Sequence, residues 1–252
     1  MSPNFETVDI LGVHFANITS SELLSAVSEA LSAREKLKIF FTSVNSVNLC
    51  NQIKGYRELL NGASIVTGDS YGITLAARIM GKPLKEIIST DRFAVRLLPW
   101  MNERGASLFL VGSTEETNRK ARQQIQRQYP RIRVVGGISL FGDLDELASP
   151  AVLETINDAN PDIVFVSFGN PKQEQWITRC ASHLDAPIIM NSGGFFDYLA
   201  GNIPYAPPFF HEHHIVWLHR LFFQPRRLWK RYIVGNPLFL LRVIKARVMF
   251  IF

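Results

Sequence analysis

The 252-residue sequence has only two cysteines, Cys50 and Cys180, and they form no C-x-x-C pair. That argues against a disulfide framework and a thiolate metal site, and predicts two buried, reduced thiols in a cytosolic protein. No stretch reaches the ~20 consecutive apolar residues that a bilayer span needs. The N-terminal MSPNFETVDI has neither a basic start nor an apolar run, so no signal peptide is expected there. No G-x-G-x-x-G follows an apolar run, which leaves a dinucleotide-dependent enzyme without its fingerprint. Internal repeats and low-complexity linkers are also missing.

Acids are scarce in one region. After Asp197 the single acid is Glu212, set against Arg220, Arg226, Arg227, Lys230, Arg231, Arg242, Lys245 and Arg247. These last 55 residues carry a surplus of seven positive charges, so the first 197 account for −2 of the total of +5. Such a tail seeks anions: lipid headgroups, phosphates or nucleic acid. No nucleic-acid module accompanies it, so no nucleic-acid partner is expected. Trp217, Leu218, Leu221, Phe222, Leu228, Trp229 and Tyr232 recur between the bases at roughly helical spacing, and Pro225 should break or kink that run. Leu238 to Phe252 is apolar but interrupted by Arg242, Lys245 and Arg247, which suits a peripheral contact with a membrane surface. Pro204, Pro207 and Pro208 mark a boundary, giving a body of residues 1–202 and a basic, aromatic, helical appendage of residues 203–252.

In the body, short apolar strands alternate with helices. Val8 to Asn17 reads as a hairpin around Gly12, and Thr19-Ser20-Ser21 caps a helix to about Arg34. Strands are expected at Ile39–Thr42, Ser64–Thr67, Leu108–Val111, Ile132–Val135, Ile163–Phe168 and Ile188–Asn191. A helix carrying Val47, Leu49 and Ile53 follows the first of these, and one running to Met80 follows the second. Lys82 to Asp91 reads as a loop before a helix through Trp100, and Ser113 with Glu116 has capping-box spacing. The pattern predicts an α/β fold, a Rossmann-like and largely parallel sheet with helices on both faces.

Several strand ends carry polar groups: Ser43 and Asn45, Asp69, Gly112 with Ser113, and the corner Gly169-Asn170-Pro171-Lys172-Gln173-Glu174. In such folds ligands bind beyond the carboxyl ends of the strands. Any single polar residue there also reads as a helix cap. Asp69, between Gly68 and Ser70, is either an N-cap or a general base. Asp143-Leu144-Asp145 matches the Asp-x-Asp of metal-dependent sugar transferases but lies beside Gly142, away from a strand end, and reads as a solvated loop. His211, His213 and His214 find no acid or cysteine at ligand spacing. No metal site is expected.

Taken in order, Pro161-Asp162-Ile163 leading to Gly169–Glu174, Gly193-Gly194-Phe195-Phe196-Asp197 with Ala200-Gly201, Ala206-Pro207, Trp217–Leu221 and Pro225–Tyr232 resemble the WecG/TagA/CpsF glycosyltransferases over nearly the whole chain. The resemblance implies an inverting enzyme, needing no metal or other cofactor. It would move a sugar from a UDP-sugar to a saccharide on undecaprenyl diphosphate, forming a β-linkage in cell-surface or exopolysaccharide synthesis. It implies a cytoplasmic protein, peripheral on the inner face of the cell membrane, and leaves self-association open. Asp69 falls on the family's catalytic aspartate, and Ser43 and Asn45 on its Thr-x-Asn. Gln173 falls on a sugar-facing glutamine, and Arg220, Arg227 and Arg231 on positions meeting the lipid diphosphate. Gly112, Ser113, Gly169, Glu174, Asp91 and Asp197 complete the expected substrate-binding set. Ser43, Ser70, Ile87 and Tyr205 stand where the family has other residues, so N-acetylmannosamine, its uronic acid and glucose all remain candidate donor sugars. The same departures motivate the alternative of a non-catalytic UDP-sugar-binding partner in an assembly complex.

Overall fold

The computed structural model describes residues 5–139 and 142–249. Met1 to Asn4, where no signal peptide is expected, and the last residues of the apolar C-terminal stretch, 250–252, lie outside them. Strands β1 (Thr7–Ile10) and β2 (Val13–Ala16) form an antiparallel hairpin, and helix α1 (Ser20–Ala33) follows. A reciprocal capping box starts α1: Thr19 Oγ1 accepts from Glu22 N, and Glu22 Oε2 accepts from Thr19 N. The chain then alternates: β3 (Leu37–Thr42), α2 (Val44–Leu49), α3 (Tyr56–Asn61), β4 (Ile65–Gly68), α4 (Tyr71–Ile79), α5 (Thr90–Arg104), β5 (Ser107–Gly112) and α6 (Glu115–Gln128). It continues through β6 (Arg133–Ile138), α7 (Leu144–Leu147), α8 (Pro150–Asp158), β7 (Ile163–Ser167), α9 (Lys172–Cys180), β8 (Ile188–Asn191) and α10 (Phe195–Leu199).

Six strands form one parallel sheet in the order β4-β3-β8-β7-β5-β6. Strands β5, β7 and β8 are buried at every position, as helices on both faces require. Alternate residues feed opposite layers. Phe109, Val111, Val164 and Val166 meet one cluster, which takes Trp176 of α9 and the hairpin. Leu108, Leu110, Ile163 and Phe165 meet the other, built on α1, α5, α6 and α10. The expected Rossmann-like α/β architecture is present.

Four local features differ from expectation. The helix expected to reach Ile53 stops at Leu49, and α3 begins a separate turn at Tyr56. Thr114, not Ser113, caps α6, accepting from Thr117 N at 3.1 Å. The reason is local: Gly112 (φ 100°) and Ser113 (φ 66°) are both left-handed, which turns the chain one residue further before the helix starts. Asp143 caps α7 rather than lying in an open loop, and Asp145 pairs with Arg179. Both cysteines are free, but Cys50 is only half-buried. Loss of water pushes both thiols up to about 11.

Beyond Pro207 the chain forms α11 (Pro208–Glu212), α12 (Val216–Phe223), α13 (Pro225–Trp229), a π-helical turn (Lys230–Val234) and α14 (Gly235–Met249). Pro225 breaks the run, because its ring starts a new helix and cannot continue the old one. Helix α14 packs on α2 and α4, sinking Phe239 and Val243 into the first cluster. Asn48 ties it down: its Nδ2 donates to Gly235 O, and its Oδ1 accepts from Arg242 Nη1, each at 2.8 Å.

Candidate active site

Strands β4, β3, β8 and β7 end along one edge of the sheet, and α11 to α14 lie across that edge. Between them are two adjoining cavities of about 450 Å³ and 400 Å³. Asn45, Asp69, Asp91, Tyr198, Arg220 and Arg231 line both. Ser43 lines the larger; Gly169, Gln173 and Arg227 line the smaller. Asp69 and Gln173 therefore share a cavity, and that cavity is roofed by appendage arginines.

Asp69 is placed by its strand. Its N–H donates to Thr42 O at 3.0 Å, which extends the β3–β4 ladder one residue past Gly68. The following loop is pinned to the same strand, Ile88 N donating to Gly68 O and Thr67 Oγ1 to Ile88 O, each at 3.0 Å. That brings the start of α5, and with it Asp91, over the strand end; Asp91 is in the first helical turn rather than in a loop. Ser70, not Asp69, holds the N-cap position of α4, so the carboxylate is not committed to capping. Asp69 keeps part of its surface open to the cleft yet lies deep among protein atoms. Its pKa is pushed up to about 7, first by loss of water and then by the negative charge of Asp91. Arg220, Arg231 and the Thr90 N–H pull in the other direction.

The β7 corner is held from beneath by Glu174. Its Oε1 accepts from Gln173 Nε2 and Asn191 Nδ2, each at 2.8 Å, and from Asn170 Nδ2 at 2.7 Å. Its Oε2 accepts from Tyr56 Oη at 3.0 Å. Burial pushes this carboxyl up, and the donors hold it back. Glu174 is 1% exposed and lines neither cavity. The expectation that it touches substrate is corrected: it positions the groups that do line the cleft. Gln173 Oε1 also accepts from Gly169 N at 3.2 Å, which fixes the amide's direction.

Gly169 (φ 78°) and Gly193 (φ 52°) both line the smaller cavity, and a Cβ on either would meet nothing within 4 Å. Backbone is thus bared to the cavity at the ends of β7 and β8. Gly112 and Ser113 line neither cavity, contrary to expectation. A Cβ on Gly112 would lie 2.5 Å from Ser167 O, and Ser113 N donates to that oxygen at 2.9 Å, so this turn packs against β7 instead of opening. Asp197 also lines neither cavity. It accepts from Asn202 Nδ2 at 3.2 Å and lies 3.9 Å from Arg227 Nη1, behind the arginine.

Three appendage arginines face the cleft. Arg231 Nη2 donates to Ser43 Oγ at 2.8 Å. The Arg220 guanidinium lies 5.8 Å from the Tyr198 ring centre and 2.8 Å from where a Cβ on Gly194 would be. Arg220 Nε and Ser70 Oγ are buried with no hydrogen-bond partner among the described residues. Tyr198, Asn191 and Ser192 were not expected as site residues from the sequence. Tyr198 carried a signal, because it lies one helical turn past the Gly193-Gly194 corner. Among the described residues no three His, Cys, Asp or Glu side chains are grouped as metal ligands.

Outside the cleft the appendage is apolar and basic together. Phe222 is 81% exposed and Leu241 65%, and Phe209, Trp229, Ile233 and Val248 are exposed as well. Arg226, Lys230 and Lys245 are exposed on the same helices. No helix among the described residues is long and apolar enough to cross a membrane.

The family model for the glycosyl transferase WecG/TagA/CpsF family matches residues 8–250. The chain belongs to this family. A WecG/TagA/CpsF glycosyltransferase is what the sequence motifs indicate, and the match covers body and appendage alike. The chain is also 28% identical over 246 residues to proteins of Staphylococcus aureus strains MRSA252 and NCTC 8325 / PS 47, covering 97% of this chain and 94% of each relative. Both relatives are described as N-acetylglucosaminyldiphosphoundecaprenol N-acetyl-beta-D-mannosaminyltransferase.

Proposed function

We propose that this glycosyltransferase moves a sugar from a UDP-sugar to a saccharide carried on undecaprenyl diphosphate, with inversion to a β-linkage, in the synthesis of a cell-surface polysaccharide. The acceptor class is supported by the description of the Staphylococcus aureus relatives. The single observation that carries the chemistry is Asp69 on the wall between two cavities, below three arginines.

Asp69 is the general base. With a pKa near 7 it is a stronger base than an ordinary carboxylate, and about half of it is ionised and ready to accept a proton at neutral pH. It takes the proton from an acceptor hydroxyl as that oxygen bonds to the donor's anomeric carbon. The bond from that carbon to the diphosphate oxygen breaks on the opposite face, and its electron pair leaves with UDP. The developing charge on UDP is met by Arg220, Arg227 and Arg231, in a setting where much of the water is replaced by protein. No metal is needed for that neutralisation. Bared backbone at Gly169 and Gly193 lets the diphosphate approach, and Asn45 and Gln173 stand within the same cavity to orient the sugar. The appendage of residues 203–252 sits on the inner face of the membrane through its exposed apolar side chains and bases, and its arginines complete the cleft.

Incubation with a panel of UDP-sugars and a lipid-diphosphate-linked N-acetylglucosamine tests the reading. Release of UDP with formation of a β-linked disaccharide is expected. UDP binding without transfer from any donor would overturn it in favour of a non-catalytic partner.

A further inference from the structure

The two cavities have different walls. The smaller is lined by glycine backbone, amides and cations at the ends of β7 and β8. The larger runs between body and appendage and, beyond its polar end, meets Val44, Leu75, Val216, Trp217, Phe239 and Leu240. It starts at Asp69, Arg220 and Arg231 and extends to Ile233, which is itself 55% exposed. An apolar passage thus leads from the carboxylate and arginines to the outer apolar surface of the appendage. Its side is closed by Tyr71 of the body stacked on His214 of the appendage, 4.2 Å between centres and 3° from parallel.

We propose that the larger cavity holds the first isoprene units of the acceptor's polyprenyl chain, with its diphosphate at Arg220 and Arg231 and its terminal sugar at Asp69. The inference rests on the acceptor class proposed above and adds a binding site for the chain itself. A volume of about 450 Å³ is in the range of small-ligand pockets, roughly 300–1,000 Å³. A sugar or nucleobase suits the apolar wall badly, because His211, His214 and Asn236 are its few polar groups and most of the ligand's polar atoms would lose water without gaining a partner. A prenyl chain suits it well. The lining combines a carboxylate and cations at one end with an apolar wall beyond them, which matches the sugar, diphosphate and prenyl parts of a lipid-linked sugar. The donor is then confined to the smaller cavity, and the residues common to both stand between the two substrates. Both must be bound together, and the first part of the lipid is gripped by protein rather than left in the bilayer.

Binding to the full chain without vesicles tests this, using farnesyl diphosphate and inorganic diphosphate as probes, with UDP as the control. Farnesyl diphosphate is expected to bind at least about tenfold more tightly than inorganic diphosphate. Val216→Trp, which fills the passage away from the catalytic groups, is expected to remove that advantage and leave UDP affinity unchanged. Leu75→Trp serves as a second filler if Val216→Trp does not fold. Equal binding of the two probes, or an advantage that survives filling, overturns the inference. Sugar transfer is scored separately. Transfer without a prenyl advantage sinks only the chain site; a prenyl advantage that filling removes, with no transfer from any donor, sinks only the proposed reaction.

Discussion

Arg231 Nη2 donates to Ser43 Oγ at 2.8 Å, joining residues 188 positions apart in sequence. The bond ties the π turn of the appendage to the end of β3, so the cleft is closed by the same contact that docks the roof. Arg231→Ala removes both a charge and this tie. Hydrogen bonds to charged groups contribute about 1.5–3 kcal/mol, so transfer should fall about 10- to 100-fold. Ser43→Ala, which leaves the charge in place, should cost about tenfold or less. Steady-state kinetics on the two variants check this ordering, and equal losses would contradict it.

The pH profile is a second test. Asp69 must be ionised to act as base, so kcat/KM should climb with pH and level off above about 7. Asp91→Asn removes the nearby negative charge and should move that limb to lower pH. Asp69→Asn should reduce turnover by at least ~100-fold. A limb near pH 4 in the wild-type protein would contradict the assignment.

The same group makes a prediction about stability. Asp69 binds its proton more tightly folded than unfolded, where a carboxyl titrates near ~3.9. The folded state therefore loses stability as pH rises from ~4 towards about 7. The cost at pH 8 should be on the order of 2 kcal/mol, after a discount for the part of Asp69 open to the cleft. Denaturant melts of Asp69→Asn should lack this decline and be the more stable at pH 8. A parallel pH dependence in both proteins would refute it.

Glu174 should behave as a support for the cleft. Glu174→Ala leaves the buried Tyr56 Oη and Gln173 Nε2 without their acceptor and takes one of two acceptors from each of Asn170 and Asn191. Each buried polar group left unsatisfied costs about 1–3 kcal/mol. At about 2–4 °C per kcal/mol for a chain of this size, a fall of roughly 5–15 °C in Tm is expected. Activity should fall too, because Gln173 keeps only one of the two bonds that hold its amide. Full activity in a protein with an unchanged melt would refute the role.

The outer face of the appendage yields a prediction of its own. Phe222→Asp with Leu241→Asp should release the protein from anionic vesicles in sedimentation, and salt should weaken wild-type binding. Transfer to a short, soluble acceptor should be unaffected, since neither residue lines the cleft. Unchanged sedimentation would dismiss this surface as the docking face.

The fold was legible because β3, β5, β7 and β8 are apolar at nearly every position, a pattern that only a sheet covered on both faces explains. Asp69, Asn45 and Gln173 were legible as polar residues at strand ends. Glu174 was misread because its neighbour in sequence faces the cleft. In a helix, consecutive residues point about 100° apart, and Glu174 turns inward. Gly112 and Ser113 were misread because sheet order is not sequence order. The order β4-β3-β8-β7-β5 puts β5 on the far side of β7 from Asp69, where the turn is filled by Ser167. The π turn left no mark in the pattern of aromatics and bases around it.

That π turn makes the register of everything after it depend on the number of residues between Lys230 and Val234. A single codon lost there would turn everything downstream by about 100°. Phe239 and Val243 would be rotated out of the interior, and Arg242 would swing away from Asn48. Replacements in this span, Arg231 aside, disturb one side chain each, whereas a frame-preserving deletion would misalign the whole terminal helix, so natural relatives should keep the number of residues there.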